Sequence, residues 1–152
     1  MSYKFGKVIG RETAKIFFKK YKLRNPLEKL AHGPLVFAAT GIGSVEILWM
    51  EMKPDRFICL WECPDSVFVE EFSKRSLGKI KPPLCEFLAA YSAGWMKETL
   101  GMNLDSREIW CRASGKRSCR FLIAPPVELA SLLSEDRFRR PREEYQVIPI
   151  RF

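Results

Sequence analysis

Three side chains able to bind a metal ion lie within twelve residues. Glu108, Cys111 and Cys119 occur in the stretch EIWCRASGKRSC. If Gly115 lies at the tip of a hairpin, the two cysteines face each other across antiparallel strands at about 4.5–5.5 Å. A pair at that separation can share a metal ion, form a disulfide if oxidised, or pack as small apolar side chains. The spacing alone leaves all three interpretations open.

Glu108 presents a geometric difficulty for the metal interpretation. It precedes Cys111 by three residues, and an odd offset places two side chains on opposite faces of a regular strand. Both can reach one ion only if the strand bulges or twists between them. The metal interpretation therefore predicts an irregular backbone near Ile109–Trp110.

Cys85 is the candidate for the remaining ligand. It lies in the first turn of a predicted helix, shortly after Pro82 and Pro83. Free backbone N–H groups and the helix dipole favour a thiolate at that position, and a thiolate is the form that binds zinc. Three cysteines and one carboxylate complete four-coordination, which is typical of a structural zinc site. Buried cysteines without a metal are the alternative. Cys59 and Cys63, also on one strand face, are interpreted as core or surface thiols.

Composition indicates one domain of ordinary size with a basic start. The chain has 152 residues, 47% of them hydrophobic, and a net charge of +8. Residues 1–30 hold nine Lys or Arg and two Glu. A basic first helix can contact nucleic acid, an acidic partner or a membrane surface, or simply form a solvated face. Since there is no run of 18 uncharged apolar residues and no secretory signal, we expect a cytoplasmic protein with reduced thiols and no membrane span.

The hydrophobic pattern predicts helices that alternate with hairpins. Helices are expected over 9–22, 26–33 with Gly33 as the stop, 65–78, 82–101 and 126–134. One hairpin turns at Lys53–Arg56, with Val45, Ile47 and Trp49 on one face of its first strand, and a second hairpin turns at Ser114–Lys116. Both strands of the first hairpin have apolar residues on two faces, so we expect cover on both sides. The fold class is therefore α+β with a four-stranded antiparallel sheet.

Two further predictions concern packing and domain limits. The small residues of the fourth helix favour close packing against the sheet; they are Ala89, Ala90, Ser92, Ala93 and Gly94. Residues 1–133 are predicted to form the single domain. Residues 134–152, which are charged and interrupted by proline, are predicted to form a linker and tail.

Residues 85–126 resemble the 4-vinyl-reductase domain, a small-molecule-binding module also found in bacterial sensors of phenols and other aromatics. The similar positions are Cys85, AYSAG at 90–94, Gly101, Glu108, Cys111, Ala113, Gly115, Cys119 and Phe121. A weaker likeness extends over roughly residues 6–125. The resemblance implies that Cys85, Glu108, Cys111 and Cys119 bind zinc. It also implies the fold shared by subunits of the TRAPP vesicle-tethering complex and haem-based NO sensors.

That resemblance further implies a hydrophobic ligand held between helices and sheet. Candidate lining residues, each of which could equally be core, are Phe37, Trp49, Phe57, Trp61, Phe68, Phe72, Phe87, Tyr91 and Trp95. Trp61 is nearest to a tryptophan that contacts phenol in the sensors. His32, the sole histidine, does not clearly match the histidine that those sensors use.

Three functional hypotheses follow. The first is a zinc-stabilised, homodimeric domain that binds or senses an aromatic or hydrocarbon ligand, with a regulatory role and no catalysis. The second is a protein–protein assembly module similar to the vesicle-tethering subunits. The third is an accessory protein for vinyl-group reduction, although the chain lacks a convincing nucleotide-binding motif. Nucleic acid is not expected as a partner because the paired C-x2-C knuckles of zinc ribbons are absent.

Overall fold

Two β-hairpins, each preceded by two helices, form most of the chain. The computed structural model describes residues 3–76 and 85–150, so the predicted helix limits at Gly78 and Pro82–Pro83 lie outside the described residues. The helices are α1 (Tyr3–Lys20), α2 (Pro26–Ala39), α3 (Val67–Ser76), α4 (Glu86–Leu100) and α5 (Pro126–Leu133). The strands are β1 (Glu46–Lys53), β2 (Arg56–Cys63), β3 (Asp105–Trp110) and β4 (Cys119–Ala124). They form one antiparallel sheet in the order β1-β2-β4-β3, which confirms the predicted fold class.

Both faces of the sheet are buried, as the apolar pattern predicted. The inner face packs with α1, α2 and α4 and includes Trp61 and Phe121. The outer face packs with α5 and with Phe138 from a short 3-10 turn. Leu60 and Leu122 on that outer side are fully buried. The sheet is therefore the middle layer of three.

The small residues of α4 face α1, and not the sheet as the sequence analysis predicted. A Cβ atom at Gly94 would lie 2.0 Å from the Lys7 carbonyl oxygen. A Cβ atom at Gly10 would lie 2.1 Å from the Tyr91 carbonyl oxygen. Since real Cβ contacts never approach this closely, glycine is required on both helices for their backbones to meet. The prediction of close packing was right about the residues and wrong about their partner.

The second helix is longer than predicted. It begins after Asn25, whose side chain accepts a hydrogen bond from the Leu27 amide at 2.8 Å, and it continues through Gly33 and Pro34 to Ala39. Gly33 is not a stop, because it allows the indole of Trp95 to approach: a Cβ atom there would lie 2.9 Å from Trp95 Nε1. The first helix also begins earlier than predicted, at Tyr3.

A bulge in β1 reverses the face on which Trp49 lies. Ile47 is opposite Trp61, whereas Trp49 is opposite Leu60, so the register shifts at Leu48. Ile47 consequently packs in the inner core while Leu48 and Trp49 both pack on the outer side. The prediction that Ile47 and Trp49 share a face was wrong, because a regular alternation does not survive an extra residue.

The segment from residue 134 packs on the outer face up to Ile150, the last described residue. Arg120, which has no solvent exposure, lies beneath it. Its Nε donates to Glu62 Oε1 at 2.7 Å, and its Nη1 donates to the carbonyl oxygens of Phe138 and Arg140 at 3.2 and 2.6 Å. The Ile148 amide donates to the Ile47 carbonyl oxygen at 2.9 Å. The charged segment predicted to be a linker therefore corresponds to an ordered cover of the sheet.

We predict that Gly10→Ala lowers the free energy of unfolding by about 3 kcal/mol, because the new methyl group must separate α1 from α4. Urea unfolding followed by circular dichroism measures the change. Val8→Ala, on the exposed side of the same helix, is the control and should stay within about 0.5 kcal/mol of the wild type. Equal stability of the two variants would contradict the close helix contact.

Candidate metal centre and apolar cavity

Four predicted ligand side chains meet at one point beside the sheet. One ligand atom from each of Cys85, Glu108, Cys111 and Cys119 lies within 4.8 Å of all the others. The Cys119 sulfur is 3.6 Å from that of Cys85 and 3.8 Å from that of Cys111. All three cysteines are buried, and Glu108 is partly buried. The structure thus brings together the whole set of residues proposed from the sequence.

An extra residue in β3 places Glu108 and Cys111 on the same side. Glu108 is opposite Phe121 and Trp110 is opposite Arg120, so the register shifts at Ile109. With one residue bulged out, an offset of three positions acts as an offset of two, and both side chains point to the cluster. The predicted irregularity near Ile109–Trp110 is confirmed.

The remaining ligands stand at the ends of elements. Cys85 is the residue directly before the first turn of α4, one position earlier than predicted. Cys119 is the first residue of β4. Cys111 follows β3 and begins a tight turn that ends at Gly115, whose φ of 85° favours glycine. In that turn the Arg112 amide donates to the Cys119 sulfur at 3.5 Å.

The protonated cluster holds its protons tightly. Burial raises the pKa of Glu108 to about 8, and the neighbouring Cys111 adds to the rise. Hydrogen bonds with Cys111 and Cys119, followed by burial, raise the pKa of the Cys85 thiol. A hydrogen bond with Cys111 is likewise the largest cause of the raised pKa of Cys119. Only a cation at the centre would reverse these shifts by favouring the thiolate and carboxylate forms.

The donor set fits zinc. Three sulfur atoms and one carboxylate are ligands that zinc takes in tetrahedral sites. Glu108 Oε2 accepts a hydrogen bond from the Cys85 amide at 3.2 Å, while its buried Oε1 has no hydrogen-bond partner among the described residues. A buried oxygen needs a partner, and a metal ion shared with the three neighbouring sulfur atoms would supply one.

Sequence reasoning missed the groups that surround the ligands. The Ser66 hydroxyl lies 3.4 Å from the Cys85 sulfur, and the Arg112 amide contacts Cys119. Cys63 is directly opposite Cys119 in the ladder, but its sulfur lies 3.8 Å from Asp65 Oδ1 and is not in the cluster. Burial raises the pKa of Cys63 to about 12. No spacing rule links Ser66 to Cys85, because only the folded chain brings α3 and α4 together at this point.

A second candidate site is an apolar cavity of about 70 Å³ between α2, α4 and the inner face of the sheet. Five of the nine predicted aromatic residues line it; they are Phe37, Phe57, Trp61, Tyr91 and Trp95. The other lining residues are Leu30, Gly33, Pro34, Val45, Ile47, Met50, Cys59, Ser92, Met96 and Ile123. No charged side chain is among them, and neither is His32.

The other four predicted lining residues lie elsewhere. Trp49 packs on Phe138 at the outer face, with ring centroids 5.6 Å apart, because of the bulge at Leu48. Phe68 and Phe87 form a ring pair 5.7 Å apart between α3 and α4. Phe72 is 40% exposed on α3. Those three lie nearer the start of α4, whereas the cavity is beside its middle.

One strong hydrogen-bond donor in the cavity wall is unsatisfied. Trp61 is 3% exposed, and its Nε1 has no partner among the described residues. Trp95 Nε1, by contrast, donates to the Lys29 carbonyl oxygen at 3.3 Å. The Tyr91 hydroxyl is bonded to Thr13, and Ser92 Oγ donates to the Ala89 carbonyl oxygen at 2.8 Å. Trp61 is therefore the polar group that a ligand could satisfy.

Comparison with known proteins supports the resemblance and the fold. Residues 67–125 match the family model of the 4-vinyl-reductase domain. The crystal structure of the phenol-responsive sensory domain of the transcription activator PoxR with phenol has a TM-score of 0.71 and 19% identity, covering 91% of this chain and 70% of that one. Trafficking protein particle complex subunit 3 from Naegleria fowleri, covalently bound to palmitic acid, has a TM-score of 0.54 and 9% identity, covering 80% and 76%. A search of curated proteins found no match.

We predict that the metal-free protein loses stability as the pH rises. Glu108 has a pKa of about 8 in the folded chain and an ordinary value of 4.5, so the folded state binds its proton more tightly. That contribution is complete below pH 4.5 and is lost as the pH rises through 8. Urea unfolding in the presence of a chelator and a thiol reductant measures the slope. Glu108→Gln, which cannot titrate, should flatten it; an unchanged slope would contradict the assignment.

Proposed function

We propose that this chain is a zinc-stabilised sensory domain that binds a small, uncharged hydrophobic molecule. The observation that carries the proposal is the aromatic cavity with its one unsatisfied donor, Trp61 Nε1. The likeness to a phenol-responsive sensory domain supports it. Ligand sites are mainly apolar with a few polar groups that orient the ligand, and this cavity has that composition.

The cavity wall restricts the chemistry of the ligand. With no charged side chain in the lining, an ion would have to give up its hydration without compensation. The indole N–H of Trp61 requires an acceptor, so the ligand should carry one oxygen with lone pairs on an otherwise apolar frame. A cavity of about 150 Å³ holds benzene. At about 70 Å³ this cavity must widen, by movement of its aromatic side chains, to hold a ring of that size.

Zinc would be held by Cys85, Glu108, Cys111 and Cys119. When bound, it supplies positive charge that stabilises the deprotonated thiols and carboxylate. The four side chains come from the start of α4 and from both strands of the second hairpin, so their coordination would join these elements. Four protein ligands leave no open position, which is the arrangement of a structural site.

We further propose that the domain is not an enzyme and acts in the cytoplasm as a homodimer. The cavity lining has no carboxylate or imidazole to move a proton, and all five cysteines are free. In the described parts of the chain, no helix is both long and apolar enough to cross a membrane. The outer side of α2 offers a dimer face: Leu27 and Leu35 are 58% and 47% exposed, with Ala31 between them at helical spacing.

An assembly module is the second candidate. The small volume of the cavity favours it, because a domain that binds other proteins through its helices does not need internal space. The fold likeness to a trafficking complex subunit is compatible with this role. Ligand titration distinguishes the two candidates, as described below for Trp61.

We predict one zinc ion per chain and a dimer in native mass spectrometry of protein purified without added metal. Cys119→Ser should lose the zinc and lower the free energy of unfolding by about 4 kcal/mol or more, the range for loss of a structural metal. Cys59→Ser, in the cavity wall away from the cluster, should keep the zinc. A wild-type chain that is metal-free and equally stable would contradict the zinc proposal, and a monomer would contradict the dimer.

We also predict that Trp61→Phe weakens binding of anisole about fivefold, the effect of losing one hydrogen bond of about 1 kcal/mol. Ethylbenzene has the same shape but no acceptor oxygen, so its affinity should change less than about twofold. Isothermal titration calorimetry measures both. Equal losses for the two ligands would contradict the role of Trp61, and binding of neither by the wild type would favour the assembly module.

A further inference from the structure

The end of α1 and the loop after it form a cluster of cations, which we name the basic turn (residues 15–24). It holds Lys15, Lys19, Lys20, Lys22 and Arg24, and residues 13–27 contain no Asp or Glu. Lys15 pairs with Glu12 at 2.8 Å. The other four are exposed and form no ion pair within the described parts of the chain. The basic turn is therefore a concentrated patch of uncompensated positive charge.

Two large apolar side chains project from the same surface. Ile16 is 68% exposed and Tyr21 is 54% exposed. Lys20 Nζ lies 5.4 Å from the centroid of the Tyr21 ring, so a cation and an aromatic side chain stand side by side. Their inner neighbours hold the turn in place: Phe18 is buried, with its ring edge-on to Trp95 at 5.3 Å. Charges and apolar side chains are thus presented on a rigid base.

The backbone of the turn retains a lysine where glycine is favoured. Lys22 has a φ of 55°, and the Leu23 amide donates to the Phe18 carbonyl oxygen at 2.9 Å, which closes the helix end. Glycine is the usual residue at this left-handed position, because a side chain there is strained. Retention of a charged residue in a strained conformation points to a role for the charge beyond stability.

We propose that the basic turn docks on the surface of an anionic lipid bilayer. The lysines and Arg24 would lie against the phosphate groups while Ile16 and Tyr21 enter the interface between headgroups. Lysine beside exposed aliphatic and tyrosine side chains is the composition of helices that lie on membranes. Base stacking by nucleic-acid-binding proteins gives no role to an exposed isoleucine. The proposal does not rest on the sensory function, because the cavity lies elsewhere in the molecule.

Charge also decides between a bilayer and a second copy of this chain at this surface. Two basic turns brought together would place at least eight uncompensated cations in one interface, and like charges in contact oppose association. An anionic surface reverses the sign of this interaction. The dimer face proposed on α2 does not require the basic turn.

Co-sedimentation of the full chain with lipid vesicles tests the proposal. Vesicles of phosphatidylcholine containing phosphatidylglycerol should bind the protein, those of phosphatidylcholine alone should bind it at least about tenfold less, and added salt should weaken binding. Lys19→Gln, Lys20→Gln and Lys22→Gln together should reduce affinity about a hundredfold. Ile16→Ser with Tyr21→Ser should reduce it about tenfold while the charge is kept.

A matched variant removes the same charge from another surface. Lys74→Gln, Arg75→Gln and Arg139→Gln alter exposed residues far along the chain and should bind vesicles within about twofold of the wild type. Circular dichroism checks that each variant is folded. Three results would overturn the proposal: equal binding to neutral and anionic vesicles, equal loss in both triple variants, or tighter binding to an oligonucleotide that competes with the vesicles. A change of oligomeric state in the basic-turn variant without loss of vesicle binding would also overturn it.

Discussion

Backbone contact between α1 and α4 is the constraint on which both candidate sites depend. Glycines at positions 10 and 94 let the two helices approach until carbonyl oxygens of one meet the Cα atoms of the other. This contact fixes the rotation of α4, so that Cys85 at its start points to the second hairpin and Tyr91 and Trp95 in its middle face the cavity. A helix held by longer side chains could rotate or slide, and neither set of side chains would then have a defined position.

The metal cluster and the cavity are joined through three adjacent strands. Trp61 in the cavity wall is opposite Phe121, with the rings stacked at 4.2 Å, and Phe121 is opposite Glu108 in the cluster. Because α4 also carries a residue of each site, any movement of the cavity wall that admits a larger ligand is opposed at both ends by the cluster. Coordination of zinc would therefore determine how far the cavity can widen. This gives a structural site a direct influence on ligand size.

Much of this arrangement was predictable, and the errors have identifiable causes. The order of the elements followed from hydrophobic periodicity and turn residues, and the four ligands followed from residue type and spacing. Arg120 was not recognised, since a charged residue in an apolar strand shows its burial only when Glu62 and the carbonyl groups of Phe138 and Arg140 are placed around it. Gly33 was misread as a stop because its role, admitting the Trp95 indole, belongs to a contact 62 residues away in sequence.

The two bulges show why one irregularity was predictable and the other was not. In β3, a chemical requirement preceded the structure: Glu108 and Cys111 could share an ion only if the strand gained a residue between them, and the register does shift at Ile109. In β1, Ile47, Leu48, Trp49 and Met50 are all apolar, so either face could accept any of them and no residue type revealed the shift at Leu48. Residues with exacting ligand geometry therefore constrain the local backbone more than apolar residues do. By the same reasoning, the cluster is better defined by the sequence than the cavity, whose wall is built from interchangeable apolar side chains.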